Sequence, residues 1–147
     1  HRAIDTSGYA KKTVIEDILP HTDLFLYDLK HLDADIHREW VGVDNAIILE
    51  NLRFIAESEK TYHIRIPLIE GVNATHENIS ASIDFLTSLK RVPDRVELLP
   101  YHNIATNKYE KLGRVYDDEG LSAPSKERQL EILNIFIDNG FNAVIGG

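Results

Sequence analysis

Leu24-Phe25-Leu26-Tyr27-Asp28-Leu29-Lys30 decides the fold: it is an apolar run that ends in an acid and a base. Such a run is typical of a buried strand in a parallel sheet. A carboxylate and an ammonium at the end of a buried strand are costly unless they are paired, solvated or used. Because ligands of βα sheets bind at the carboxyl ends of the strands, Asp28 and Lys30 are candidate binding residues.

Polar residues also occur near one end of three other candidate strands. These segments are His1–Thr6, His63–Pro67 and Arg95–His102. Parallel strands end at a common edge of their sheet, so we expect the polar groups of all four strands to form one site.

Size and composition favour a single domain over residues 1–147, since a chain of this length with 43% hydrophobic residues can bury a core. The 16 basic and 24 acidic side chains give a net charge of −8. With no Lys/Arg cluster, we expect no nucleic-acid partner and no anionic membrane surface. No apolar run approaches about 18 residues, the length that a membrane span requires. A cofactor or a protein partner fits this balance better.

Cysteine and methionine are both absent. Disulfides, thiolate nucleophiles and thiolate metal sites are therefore excluded within these residues. The chain opens without Met and inside an apparent strand, so we expect a fragment or a processed chain.

Turn residues and hydrophobic periodicity alternate strand and helix through most of the chain. The predicted strands are His1–Asp5, Asp23–Leu29, Thr61–Ile66, Val96–Leu99 and Phe141–Ile145. The predicted helices are Tyr9–Leu19, Asp33–Trp40, one capped by Asp44 over Ile47 to Ala56, one opened by Thr75 or His76, and Pro124–Asp138. Between Pro100 and Pro124 we expect mostly loop, with a helical turn around Lys108–Leu112. This order predicts an α/β fold, a parallel-sheet partial (β/α) barrel that is truncated at its N-terminal strands.

Five segments follow one another in a recognisable order. They are Asp5-Thr6-Ser7-Gly8-Tyr9, Tyr27-Asp28-Leu29-Lys30, Asn45 to Leu52, Arg65-Ile66-Pro67 to Gly71-Val72-Asn73, and Leu98-Leu99-Pro100-Tyr101-His102 to Lys108-Tyr109-Glu110-Lys111-Leu112-Gly113. In order and spacing, over essentially the whole chain, they resemble the C-terminal portion of the glycyl-radical-enzyme activating enzymes. This is the pyruvate formate-lyase activating enzyme family of the radical S-adenosylmethionine (SAM) superfamily.

The resemblance implies an incomplete (β/α)6 barrel and an oxidoreductase activity. In that family a Cys-x3-Cys-x2-Cys loop binds a [4Fe–4S] cluster, and SAM is cleaved reductively to a deoxyadenosyl radical. The radical abstracts a hydrogen atom from a glycine of the partner. The resemblance thus implies a glycyl radical enzyme (pyruvate formate-lyase-like) as partner, an electron donor such as flavodoxin or ferredoxin, and a cytoplasmic location.

The chain departs from the family pattern: it has Glu70 where the family often has Pro, and it lacks two segments. The cysteine loop and the Gly-Gly-Glu-type segment that holds the methionyl amino group are absent, and by the family's order both lie upstream of residue 1. Without three thiolates these residues offer no site for the cluster. We therefore expect the isolated chain to be inactive, with no catalytic residue and no cluster ligand of its own.

Five residues correspond to family positions that contact SAM or its surroundings. Asp28 and Lys30 resemble the strand-end pair that meets the SAM ribose and carboxylate, roles that suit an acceptor and a cation. His102 resembles the SAM-contacting histidine after a Pro-Tyr dipeptide. Asp5 resembles an acid that in some members joins Asp28 in holding a monovalent cation. Arg65 resembles a strand-end arginine that faces SAM or the substrate peptide.

Structural interpretations of the same residues stay open at this point. Asp28 and Lys30 would also suit an ordinary strand-end ion pair, and 5–8 would suit a turn that caps a helix. His31 and His37 match no recognised metal spacing, so we expect them to be solvated. Trp40 is expected to pack a short helix onto the barrel.

Two other functions compete with the family assignment. One is a cofactor-independent α/β binding or scaffolding module, since the chain contains no thiol. The other is a metal-assisted hydrolase that would use Asp5, Asp28, Glu97 and His102 as ligands.

Overall fold

The computed structural model describes residues 1–101 and 120–146, which form a five-stranded parallel sheet and its covering helices. The strands lie in the order of the chain: β1 Ala3–Thr6, β2 Leu24–Asp28, β3 Thr61–Leu68, β4 Arg95–Pro100 and β5 Ala143–Ile145. The helices are α1 Lys12–Ile18, α2 Ala34–Val41, α3 Ala46–Glu57, α4 His76–Thr87 and α5 Lys126–Asp138. The predicted α/β fold with a parallel sheet is confirmed. The predicted turn around Lys108–Leu112 lies outside the described residues.

One face of the sheet forms the core. Side chains of β2 to β4 alternate between buried and half-exposed, as the two-residue period of a strand requires. The buried set consists of Phe25, Tyr27, Tyr62, Ile64, Ile66, Leu68, Val96 and Leu98. It packs in one cluster with apolar residues of α3, α4 and α5, of which Leu52, Leu86 and Phe136 are fully buried. The other face is the polar one.

The capping and turn residues in the sequence predicted the starts of two helices correctly and those of the other three incorrectly. Asp33 caps α2 by accepting from the N–H groups of residues 35 and 36, and Thr75 caps α4. The predicted cap at Asp44 is wrong, because Asn45 is the residue that precedes the helix and the Asp44 carboxylate accepts from the Ala46 N–H. The predicted start at Pro124 is also wrong, because Ser125 caps α5.

The first helix starts later than predicted and ends differently. It begins at Lys12 rather than Tyr9, since the Gly8 carbonyl bonds to the Ala10 N–H in a turn. At its end Pro20 enters a 3-10 turn over Leu19–His21. Proline is tolerated at the start of such a turn because the N–H groups there have no intrahelical partner.

The third strand continues through Pro67, two residues beyond the predicted end. The Arg65 carbonyl bonds to the Leu29 N–H on the β2 side, and alternation points the missing N–H of Pro67 to that same side. There β2 has already ended, at Asp28. The proline therefore removes no ladder bond.

Gly8 is the tightest point of the β1–α1 connection. Its φ is +72°, and a Cβ there would lie 1.6 Å from the Tyr27 hydroxyl oxygen. The Tyr27 side chain cannot move away, because its ring is fully buried and its hydroxyl donates to the Ile48 carbonyl at 2.6 Å.

We expect Gly8→Ala to destabilise the fold far more than Gly71→Ala. Gly71 has a similar φ of +69° but nothing within 4 Å of an added Cβ, so its substitution should cost about 1–2 kcal/mol. At Gly8 overpacking adds a further 1–3 kcal/mol or so. Urea unfolding of both variants measures the difference, and equal losses would contradict the tight approach to Tyr27.

Candidate functional site

The strand register brings three of the predicted site residues together on the polar face. Asp28 pairs with Arg65, which pairs with Glu97 on the next strand. Asp5 belongs to the neighbouring row, opposite Leu26. The polar face thus carries neighbouring charged side chains of β1 to β4. Asp28 is the last residue of β2, whereas Asp5, Arg65 and Glu97 lie before the ends of their strands.

Arg65 bridges the two acids. Its Nε donates to Asp28 Oδ1 at 2.9 Å, and its Nη2 lies 2.7 Å from the same oxygen. Its Nη1 donates to Asp5 Oδ2 at 2.9 Å, and Nη2 also contacts Asp5 Oδ1. Partial burial acts to lower the pKa of the guanidinium, but the bonds to Asp5 and Asp28 raise it above its ordinary value. Arg65 is therefore a fixed positive charge between two carboxylates.

The three charged side chains differ in exposure. The Arg65 side chain is 19% exposed and that of Asp28 is 27% exposed, whereas that of Asp5 is 63% exposed. Water therefore screens the pair with Asp5 more strongly than the pair with Asp28.

Asp28 and Lys30 do not form an ion pair with each other. Both contacts between Arg65 and Asp28 involve Asp28 Oδ1. No donor to Asp28 Oδ2 is found within residues 1–101 and 120–146. In the same part of the chain the half-exposed Lys30 ammonium makes no salt bridge. The described part of the chain thus leaves one carboxylate oxygen and one ammonium at the end of β2 without a partner.

His63 and Glu97 form a second polar pair on this face, which the sequence reasoning missed. His63 Nδ1 lies 3.4 Å from Glu97 Oε1, and both side chains are about one-fifth exposed. Strand alternation is the signal for this pair, since His63 and Arg65 share a face and Arg65 is registered with Glu97.

The prediction that His31 and His37 are solvated is wrong. His31 is 7% exposed and His37 is 2% exposed. His31 Nδ1 accepts from the Asp33 N–H at 3.0 Å, and His37 Nδ1 lies 2.7 Å from the Val43 carbonyl oxygen. Both rings thus belong to the packing around the β2–α2 loop, and burial lowers the pKa of His31.

Other predicted features near the site have mixed outcomes. His102 lies outside the described residues. Trp40 remains 42% exposed and lines two open surface pockets beside His31 and Val72, rather than packing fully onto the sheet. Among the described residues no group of three His, Asp or Glu side chains could hold a metal ion. Likewise, no helix there is long and apolar enough to cross a membrane.

Comparison with solved structures decides the family. The chain superposes over its full length on 81% of a domain of pyruvate-formate lyase-activating enzyme from Bacteroides vulgatus, with a TM-score of 0.84 and 40% identity. The chain belongs to the glycyl-radical-enzyme activating enzymes. No protein-family model matches it.

Two curated relatives agree with this membership of the activating enzymes. The trans-4-hydroxy-L-proline dehydratase activating enzyme of Clostridioides difficile is 44% identical over the whole chain, which covers 49% of that protein. The choline trimethylamine-lyase activating enzyme of Oleidesulfovibrio alaskensis is 39% identical over 84% of the chain, and the match covers 40% of that protein. The chain thus spans less than half the length of the curated relatives it matches.

The residues present fit one of the two cofactors that the activating-enzyme family implies. Asp28 Oδ2 and the Lys30 ammonium suit the hydroxyl and carboxylate groups of SAM, since an anionic acceptor and a cation lie at one strand end and no other described residue bonds to them. The [4Fe–4S] cluster does not fit this chain, because thiolates hold such clusters and the chain has no cysteine.

Because the Asp28 side chain is less exposed than that of Asp5, we expect the coupling free energy of Arg65 with Asp28 to be larger than that with Asp5. In double-mutant cycles at pH 7, we expect Arg65→Met with Asp28→Asn to show a coupling of roughly 1–3 kcal/mol. The cycle with Asp5→Asn should stay below about 1 kcal/mol, because water screens that pair. Urea unfolding supplies the free energies, and a larger coupling to Asp5 would overturn the order.

Burial of His31 predicts a loss of stability in acid. The folded-state pKa of His31 lies below its ordinary value of 6.5, so the unfolded chain binds the proton more readily. The stability from His31 is complete above about pH 6.5 and decreases as the pH falls below it. His31→Asn retains an acceptor for the Asp33 N–H and should flatten urea-unfolding stability between pH 7 and 5. His21→Asn, at an exposed position, should leave that slope unchanged; equal slopes for all three proteins would refute the assignment.

Proposed function

We propose that the protein containing this chain is a radical SAM activating enzyme, and that these residues supply the side of its barrel that holds SAM. The observation that carries the proposal is a pair of groups at the carboxyl end of β2, Asp28 Oδ2 and the Lys30 ammonium, for which residues 1–101 and 120–146 supply no partner. Family membership supports it, since the ligand edge of such a sheet is where a cofactor is expected.

In this proposal Asp28 accepts the ribose hydroxyls through Oδ2 while Arg65 retains Oδ1. Lys30 attracts the SAM carboxylate, and its flexible stem lets the ammonium adjust its position. Arg65 keeps Asp28 oriented and faces the same opening from β3. A contribution from His102, and a monovalent cation near Asp5 and Asp28, remain part of the proposal.

SAM is the oxidant in the proposed reaction, and its one-electron reductive cleavage provides the means to remove a hydrogen atom from a glycine of the partner. The cluster that delivers the electron needs thiolates from outside these 147 residues. In this proposal the residues of the chain contribute to holding and orienting SAM, and the isolated chain is inactive because it has no cysteine for a cluster.

The partner in this proposal is a glycyl radical enzyme. The similar proteins are named for three different enzymes: pyruvate formate-lyase, trans-4-hydroxy-L-proline dehydratase and choline trimethylamine-lyase. We therefore propose the class, with a pyruvate formate-lyase-like enzyme as the first candidate. An electron donor such as flavodoxin or ferredoxin and a cytoplasmic location complete the proposal, because cluster thiolates persist in a reducing compartment.

The experiment that tests the function uses the full-length protein with its cluster reconstituted without oxygen. We expect 5′-deoxyadenosine to be released from SAM on reduction, and an electron paramagnetic resonance signal of a glycyl radical on an added partner. If reconstitution yields no cluster and SAM is not cleaved, the proposal is wrong and the cofactor-independent binding module becomes the better assignment.

Single substitutions test the SAM side of the site. Asp28→Asn and Lys30→Met should each weaken SAM binding about tenfold or more, because each removes a charge-assisted hydrogen bond. Asp84→Asn and Lys90→Met are matched controls, since both residues are exposed at or beyond the end of α4. Calorimetry on the reconstituted protein measures all four variants, and undiminished binding by the first two would contradict the assigned roles.

A further inference from the structure

The β2–α2 loop, residues 29–33, carries Lys30 and has little regular structure of its own. Its backbone groups need partners, because the segment is largely buried. Three asparagines from other parts of the chain supply four such bonds. Asn73 Nδ2 donates to the Lys30 carbonyl at 3.1 Å, and Asn45 Nδ2 donates to the carbonyls of residues 31 and 32 at 2.9 and 2.8 Å. Asn78 Oδ1 accepts from the Leu32 N–H at 2.9 Å.

These asparagines are buried and connected. Asn45 is 4% exposed, and Asn73 and Asn78 are each 3% exposed. Asn78 Nδ2 donates to the Asn73 carbonyl at 2.9 Å, and Asn73 Oδ1 accepts from the Ile69 N–H at 2.8 Å. The loop is therefore fixed from the start of α3 on one side and from the β3–α4 connection on the other.

Asparagine suits these positions because a neutral amide both donates and accepts. Asn73 uses both functions, one toward β3 and one toward the Lys30 carbonyl. An isosteric aspartate would keep the acceptor and lose the donor, and it would place a charge beside a carbonyl oxygen.

We propose that Asn45, Asn73 and Asn78 are positioning residues that preset the Asp28–Lys30 segment for SAM; this rests on the proposed function above. Asp28 is held by the sheet, whereas Lys30 lies beyond the strand end and is placed by its loop. With the loop backbone fixed, only the side chain of Lys30 must be ordered when a ligand binds. Preorganisation of this kind raises affinity by lowering the entropy lost on binding.

Asn51 provides a matched control for Asn45. Asn51 is 1% exposed, lies on α3, and its Nδ2 also donates to two loop carbonyls, those of Gly8 and Ala10, at 2.9 and 2.8 Å. It serves the β1–α1 loop instead of the Lys30 loop. Asn45→Asp and Asn51→Asp therefore each remove, from a buried side chain, a donor to two loop carbonyls, and the two loops differ.

The test uses the full-length protein and has two readouts: hydrogen exchange of the peptide covering residues 29–33, and the Kd for SAM. We expect Asn45→Asp to accelerate exchange in that peptide and to raise the Kd about tenfold. Asn51→Asp should lower the melting temperature to a similar extent yet leave both readouts unchanged. Should Asn45→Asp fail to fold, Asn73→Asp is the second variant, since it keeps the acceptor for Ile69.

The outcomes separate this proposal from the proposed function. A higher Kd for Asn45→Asp alone supports the positioning role. Equal changes in Asn45→Asp and Asn51→Asp would overturn it, because the effect would then be general loss of stability. Faster exchange with an unchanged Kd would also overturn it and would leave the proposed function standing. A wild-type protein that does not bind SAM would remove the proposed function and this inference with it.

Discussion

The register of the parallel sheet is the constraint on which the rest of the structure depends. Because side chains alternate along a strand, a slip of one residue between β2 and β3 would carry Arg65 to the face that packs under the helices. Burying that charge without its carboxylates would cost several kcal/mol or more. The apolar residues on either side of Arg65, Ile64 and Ile66, would at the same time lose their place in the core. The packing of the core and the ion pairs of the site thus both favour the same register between β2 and β3.

The sheet and the loops position the site by different physical means. On the strands the polar face carries charges, and Arg65 compensates the two acids nearest to it. In the loops beyond the strands, backbone groups are satisfied by neutral amides, which avoids the desolvation cost of an ion. A buried charge beside Lys30 would also compete for its ammonium. Because the amides that bond to the loop are neutral, they do not form an ion pair with the Lys30 ammonium.

Features with a local signal were predictable from the sequence. Strands at Leu24 and Thr61 follow from apolar runs between turn residues, and the cap at Asp33 follows from its position before a periodic segment. The gathering of Asp5, Asp28 and Arg65 on one face was expected from polar residues near the ends of neighbouring parallel strands, although Arg65 lies three residues before the end of β3. These inferences needed only residue type and spacing.

The missed features depend on partners far away in the chain. Asn73 reaches the Lys30 carbonyl across 43 positions, and Asn78 reaches the Leu32 N–H across 46. Nothing near an asparagine in the sequence distinguishes a buried support from a surface turn residue, since both roles suit its short amide. His31 was misjudged for a similar reason. Its acidic neighbours indicate solvent, whereas the folded chain buries its ring.

The geometry of Asp28 also bears on whether stability and binding oppose each other at this site. If Arg65 occupied both carboxylate oxygens, a ligand hydroxyl would have to displace it, and binding would break the pair that links β2 and β3. Instead Arg65 Nε and Nη2 converge on Oδ1 and direct the remaining nitrogen to Asp5. Oδ2 accepts no hydrogen bond from the described residues. Asp28 can therefore bind a ligand while it keeps its ion pair with Arg65 between β2 and β3, because each contact uses a different oxygen of the carboxylate.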